Sequence, residues 1–220
     1  MTLLPLSDPR VAATPTQESR DPMVTLHAEG RLFLDLSSEN QQSLGYDHVF
    51  VLRRGVLEKL RSAAAALPTG FGLLLKETWR PAPFQAFIFE RRKNRLASQH
   101  TELSESELVT LTSRFIAPPW VAGHPTGGAF DVALCDEAGR ELEMGCAYDE
   151  DEVTSEGRCY SVASGLTEDA LKHRRLMFGA LTAQGFVNYP FEWWHWSYGD
   201  KYWAVMANQP HALYDAVAEV

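Results

Sequence analysis

The chain has 220 residues, of which 45% are hydrophobic and 22% charged, as expected of one globular domain or two small ones with a sizeable core. It has neither a long apolar run nor a sustained heptad, which excludes long coiled coils and gives no membrane-spanning segment. Twenty Lys and Arg against 29 Asp and Glu leave a formal charge of −9, which repels a phosphate backbone, so nucleic acid is not an expected partner.

Residues 1–21 are rich in Pro, Thr and Ser without periodicity and read as an extended arm, leaving 22–220 as a single domain. No basic region precedes a continuous apolar stretch there, and Pro5 and Pro15 interrupt what apolar character exists, so a cytoplasmic location is expected. Met23 to His27 and Arg31 to Leu36 are strand-like and flank the turn candidate Glu29-Gly30; Tyr46 to Arg53 is a third such run. Gly55 to Leu67 reads as a helix stopped by Pro68 and Gly70. Phe71 to Thr78 fits an inner strand leading into Trp79-Arg80-Pro81, with Pro81 in the first turn of the next helix. That places Arg80 at a strand-to-helix corner.

The helix from about Ala82 to Ala97 has a basic outer face, and Ser104 with Glu107 forms a capping box for another helix to about Phe115. Both read as scaffold. Gly128 to Leu134 is strand-like, Thr167 to Gln184 is a helix closed by Gly185, and Phe191 to Tyr198 is an aromatic strand candidate. Helices and strands mix without regular βαβ alternation, which predicts an α+β fold around a largely antiparallel sheet.

Chemistry-bearing residues cluster in two segments. In Gly123-His124-Pro125-Thr126-Gly127-Gly128-Ala129-Phe130-Asp131, alternation from Ala129 puts Phe130, Val132 and Leu134 on one face and Asp131 on the other. The glycines Gly127 and Gly128 allow a bend that returns His124 to the side of Asp131, and an imidazole nitrogen with a carboxylate oxygen suits zinc. Alone, the segment reads more readily as an ordinary Gly-rich turn with a surface histidine and a strand-end aspartate than as a metal site. In Phe191-Glu192-Trp193-Trp194-His195-Trp196, a carboxylate three residues before a histidine places a general base beside a metal ligand. A regular strand would turn these two side chains to opposite sides, so a bend, a bulge or a helical turn is required near Glu192, and the alternative is an ion pair at a sheet edge. The tryptophans read as core or pocket wall.

Two histidines and one aspartate complete the three protein ligands of a catalytic zinc site, with Glu192 left free beside the third. Arg80 is a fixed cation of the kind that stabilises an oxyanion, provided it lies near the metal. The acidic run Tyr148 to Glu152 reads as a solvated loop, one member of which is suited to binding an ammonium group. Cys135, Cys146 and Cys159 form no C-x-x-C pair and are expected as reduced thiols, and Cys135 as a core residue rather than a nucleophile. His27, His48, His100, His173 and His211 are scattered singly and are assigned to packing or surface.

The segments GLLLKETWRP, GHPTGGAFD, LEMGCAYD and QGFVNYPFEWWH, in this order and spacing, resemble the zinc D-alanyl-D-alanine dipeptidases of the VanX type. The resemblance spans residues from about 31 to 200. It implies the α+β arrangement shared with D,D-carboxypeptidases and the hedgehog signalling domain, a central antiparallel sheet flanked by helices. It implies zinc on His124, Asp131 and His195, Glu192 as general base and acid acting on a metal-activated water, and Arg80 steadying the tetrahedral intermediate. Asp149 is implied to receive the free amino group of a small dipeptide, and the family is compatible with a homodimer. Two positions depart: a serine common two residues before the first histidine is Ala122, and an N-terminal pocket tyrosine is replaced near Asp35. The rival readings are a D,D- or L,D-carboxypeptidase acting on peptidoglycan peptides and a non-catalytic zinc-bearing binding module. The first is disfavoured by the missing secretion signal and the Asp149 loop, the second by the presence of Glu192 and Arg80.

Overall fold

A computed structural model describes residues 3–220. In chain order the elements are α1 (Pro9–Ala13), β1 (Met23–Thr25), β2 (Leu32–Leu34), α2 (Ser38–Leu44), β3 (Val51–Arg53), α3 (Arg54–Ala66), β4 (Phe71–Glu77), α4 (Ala82–Gln99), α5 (Glu105–Thr112), β5 (Ala129–Asp136), α6 (Glu168–Ala183), β6 (Val187–Asn188), β7 (His195–Ser197) and α7 (Lys201–Met206). The fold is α+β. Five strands form the central sheet in the order β2-β4-β5-β7-β6; only β2 and β4 are parallel. The remaining two strands, β1 and β3, make a separate antiparallel ribbon.

Helices α3 and α6 pack together over one face of the sheet. Leu57, Leu60 and Ala64 recur along α3 at the spacing of one helical face, and with Met177 and Leu181 of α6 they bury Leu73, Leu75, Phe130, Val132 and Leu134. The alternation of β5 therefore turns Asp131 to the opposite face, which carries the site. Thr167 caps α6 by accepting from the Ala170 N–H, and the Ser104–Glu107 capping box of α5 is complete in both directions.

Several elements differ from the sequence expectation. The Glu29-Gly30 turn forms, but the runs on either side part company, β1 pairing with β3 and β2 with β4. Of the run Tyr46 to Arg53 only the end is strand, because Tyr46 and His48 turn inward to hydrogen-bond the end of β4 and the loop after it. Pro81 caps α4 from outside and Pro83 occupies its first turn. The segment Phe191 to Tyr198 is strand only over β7. The N-terminal segment contains the single helix α1 and is pinned to the body. Its Leu6 and Val11 bury against Val121, Tyr189, Phe191 and Tyr202, and Gln17 donates its N–H to the Ala212 carbonyl at 2.9 Å. Among the described residues no helix is long and apolar enough to cross a membrane.

Candidate active site

Three adjacent strands set the floor of the site. Glu77 of β4 stands opposite Asp131 of β5, and Asp131 opposite His195 of β7, so three polar side chains form one row across a single sheet face. His124 joins them from a short helical turn, His124 to Thr126, that precedes β5. Gly127 closes this turn in the left-handed region at φ 71°, and a Cβ at Gly128 would collide with the Tyr198 carbonyl, so both glycines are required for the return of the chain. Arg53 clamps the turn, donating its backbone N–H to the Gly127 carbonyl at 3.0 Å and Nε–H to the Thr126 carbonyl at 2.8 Å.

The result is a tight triangle of donor atoms. His195 Nδ1 lies 2.9 Å from Asp131 Oδ1, His124 Nε2 lies 3.5 Å from the same oxygen, and the two imidazole nitrogens are 3.2 Å apart. Ligand atoms bonded to one tetrahedral ion at about 2.0–2.1 Å stand roughly 3.3 Å from each other, so the donor set fits a single small divalent cation. The tautomer fits as well. His124 Nδ1 donates to the Thr78 carbonyl at 2.6 Å, which leaves the Nε2 lone pair directed into the triangle. The Thr78 N–H in turn donates to His48 Nε2 at 3.0 Å, and burial holds His48 down at about 4, neutral and able to accept. Tyr148 O–H donates to Asp131 Oδ2 at 3.0 Å, leaving Oδ1 to the triangle.

The charges respond to one another. Burial would raise the Asp131 carboxyl, but the adjoining histidines outweigh it and hold Asp131 far below the usual carboxylate range. Burial would lower His124, and the Asp131 carboxylate reverses that, raising it. Arg80 remains a cation despite burial because Glu77 grips it, Nε donating to Oε1 at 2.7 Å and the terminal nitrogen to Oε2. Arg80 also donates to Gln85 Oε1 at 2.7 Å, and Gln85 is anchored to the Ala117 carbonyl at 2.7 Å.

Glu192 reaches the same cleft through a turn. The segment Tyr189 to His195 links β6 to β7, with the Glu192 N–H donating to the Tyr189 carbonyl at 3.1 Å and the His195 N–H to the Glu192 carbonyl at 3.2 Å. The Asn188 side-chain amide donates to the carbonyls of Glu192, Trp193 and His195. The turn replaces the expected strand at this point and brings Glu192 and His195, three residues apart, into one cavity. The Glu192 carboxyl accepts no hydrogen bond from the described residues. Burial, then the negative charges of Asp131 and Asp149, push it well above the ordinary glutamate value.

All six residues singled out from the sequence, Arg80, His124, Asp131, Asp149, Glu192 and His195, line one narrow cavity of about 40 Å³ together with Leu6, Gln85, Phe115, Tyr189 and Trp194. Asp149 stands at its mouth with an exposed outer edge and a left-handed backbone at φ 63°, a strained conformation for a non-glycine residue. Crowding by protein atoms and the charges of Glu77 and Asp131 push its carboxyl upward. Trp193 and Trp196 are core and Trp194 is pocket wall. The three thiols are unpaired, and burial raises Cys135 to about 12, which leaves it inert. His27, His100, His173 and His211 lie outside the cleft, at least partly exposed. Of the two departures from the resemblance, Ala122 is buried next to the lining Gly123, and Asp35 is taken by Lys76 and does not line the cleft.

Sequence reasoning missed Glu77, Asn188 and Leu6; it placed His48 in the packing, where it is buried, and took Tyr148 only as part of a solvated loop. Glu77 carried a signal, a lone carboxylate ending an apolar strand three residues before Arg80; the others depend on long-range packing with no local signature.

An α+β sheet carrying a buried His-Asp-His triangle, a free carboxylate and a fixed arginine has the donor set and the charges that metal-assisted hydrolysis requires. Residues 42–215 match the family described as D-ala-D-ala dipeptidase, and the chain belongs to it. It is thus a peptidase by family. Among similar proteins, a D-alanyl-D-alanine dipeptidase of Synechocystis sp. is 26% identical over 94% of this chain and 93% of its own length. The Escherichia coli protein of the same name is 33% identical over 61% of this chain and 59% of its own, and that of Enterococcus faecalis 26% over 66% and 70%.

Proposed function

We propose that the chain is a zinc dipeptidase that hydrolyses small dipeptides bearing a free amino terminus, D-alanyl-D-alanine first among them. The observation that carries this reading is the convergence of a metal-fitting donor triangle, the unpartnered Glu192 and the gripped Arg80 in one cavity of about 40 Å³. His124, Asp131 and His195 would hold one ion per chain, and zinc there supplies Lewis acidity that lowers the pKa of water and polarises a carbonyl.

The chain's own groups divide the remaining work. Glu192, whose proton affinity burial and the charges of Asp131 and Asp149 raise, takes a proton from the attacking water and returns one to the leaving amine. Arg80, immobilised by Glu77 and Gln85, donates to the oxygen that gains negative charge as the carbonyl becomes tetrahedral, without reorganising as the charge develops. Asp149 receives the substrate ammonium at the mouth and so measures length from the amino end.

The acidic group at the mouth of the cleft favours a substrate with a free amino terminus close to the scissile bond, and the names of the similar proteins support D-alanyl-D-alanine. The test is amino acid release by zinc-loaded protein from D-alanyl-D-alanine, its N-acetylated form and a pentapeptide ending in the same pair. Release from the free dipeptide alone supports the reading; equal turnover of blocked dipeptide or pentapeptide transfers it to a carboxypeptidase.

A further inference from the structure

Beside the catalytic cleft lies a second cavity of about 600 Å³. It shares Asp149 and Phe115 with the cleft, so it adjoins the place where the substrate's amino group is received. One wall is the flank of α4 that presents Arg91, Arg92 and Arg95; the facing wall is the acidic loop from Asp149 to Asp151. The sequence reading treats this basic face as scaffold, and nothing in the hydrolytic reading uses it.

The arginines are unpaired. Lys93 between them is bound to Glu90 and Glu105, whereas among the described residues none of the three arginines has a carboxylate partner. Arg92 is the most enclosed of them. Its guanidinium lies over the Phe115 ring, 5.0 Å from the centroid, and its buried Nε–H has no hydrogen-bond acceptor. A protein with a formal charge of −9 thus keeps three unpaired cations around a cavity beside its reaction centre. Their chemical complement is an anion, and the Asp149 carboxyl lining the same cavity is the complement of a cation. A ligand group carrying both, an ammonium and a carboxylate on one residue, matches that pair.

We infer that the second cavity is a side-chain subsite selecting dipeptides whose N-terminal residue carries a carboxylate, received by Arg92 while Asp149 holds the adjoining ammonium. Arg91 and Arg95 supply positive potential around it. An alanyl methyl group leaves this cavity empty, whereas an aspartyl or glutamyl side chain extends into it. The inference rests on the proposed dipeptidase reading, in particular on Asp149 as the amine receptor.

The test is the ratio of kcat/KM for D-Glu-D-Ala and D-Asp-D-Ala to that for D-Ala-D-Ala, with the L,L series in parallel and D-Lys-D-Ala as the charge-reversed probe. A hydrogen-bonded charge pair predicts an acidic-to-alanyl ratio of about ten or more, expressed mainly in KM. Arg92→Gln should collapse the ratio about tenfold, Arg92→Lys should retain part of it, and Arg92→Glu should favour the lysyl substrate. A ratio is unaffected by a loss of correctly folded enzyme, which scales every substrate alike. Hydrolysis of D-Ala-D-Ala with no acidic preference, or a preference that survives Arg92→Gln, overturns the subsite and leaves the dipeptidase reading standing. Inhibition by inorganic phosphate that is equal for all substrates, without acidic preference, likewise overturns it in favour of a separate anion site. Hydrolysis of no dipeptide overturns both readings.

Discussion

Glu77 and Asp131 face each other across β4 and β5, and each serves a different half of the site: Glu77 grips Arg80, Asp131 stands between His124 and His195. The irregular register between Leu75 and Glu77 sets this pairing. Glu77 also accepts from Tyr46 O–H at 2.8 Å. Removing one partner of a buried ion pair leaves the other charge uncompensated, at a cost of about 3–5 kcal/mol. Glu77→Ala should therefore lower the melting temperature and reduce kcat with little change in KM, because Arg80 loses the geometry needed only in the transition state. Glu77→Gln, which keeps the volume, should fall between. Loss expressed in KM alone would contradict this role for Glu77.

In the proposed reaction Glu192 links catalysis to stability. Its carboxyl in the folded chain is raised above the ordinary value of 4.5, so above that pH the metal-free folded protein binds more protons at this position than the unfolded chain does. Its contribution to stability therefore falls as pH rises through that window, and an amide in its place removes the slope. Glu192→Gln should raise the melting temperature of chelator-treated protein at pH 7 while reducing hydrolysis by about 10²–10⁴-fold. Melting curves of both proteins from pH 5 to 8 check this, and parallel curves would contradict it.

Tyr148 acts on the triangle from outside by donating to Asp131 Oδ2. Partners of this kind are worth about 10–100-fold in metal affinity. Tyr148→Phe should weaken zinc binding by about the lower of these factors, read by competition against a chelator of known affinity. An unchanged affinity would mean that the sheet alone orients Asp131.

Asp149→Asn should erase the advantage of a free amino terminus. Loss of a hydrogen bond to a charged group corresponds to about 1.5–3 kcal/mol, so KM for the free dipeptide should rise about tenfold or more, while the N-acetylated form is little affected. Equal losses on both substrates would place Asp149 in the scaffold.

The sequence exposes much of this architecture where a local pattern determines it. The apolar periodicity of α3, the caps of α5 and α6 and the alternation of β5 are read directly from residue types, and so is the face on which Asp131 lies. The turn at Glu192 is only implied, since the chemistry needs a bend while three closely spaced tryptophans suggest a strand; Asn188, bonded to three carbonyls of that turn, decides it. Pairing of β1 with β3 rather than with its neighbour is a long-range choice without a local signal. The burial of Leu6 against Tyr202 and Phe191 is of the same kind, one apolar residue in a segment otherwise poor in pattern. Glu77 is intermediate: its charge in an apolar run announces a partner, and only the fold identifies that partner as Arg80.

The central claim is that one ion on His124, Asp131 and His195 works with Glu192 to cleave a dipeptide. The most direct measurement is alanine release from D-alanyl-D-alanine by metal-stripped protein before and after one equivalent of zinc, with Glu192→Gln treated identically. The account predicts release that appears on zinc addition in the natural protein and stays near background in the variant, although both bind the metal. Zinc-dependent release of equal rate in the variant, or release unaffected by stripping, would contradict it.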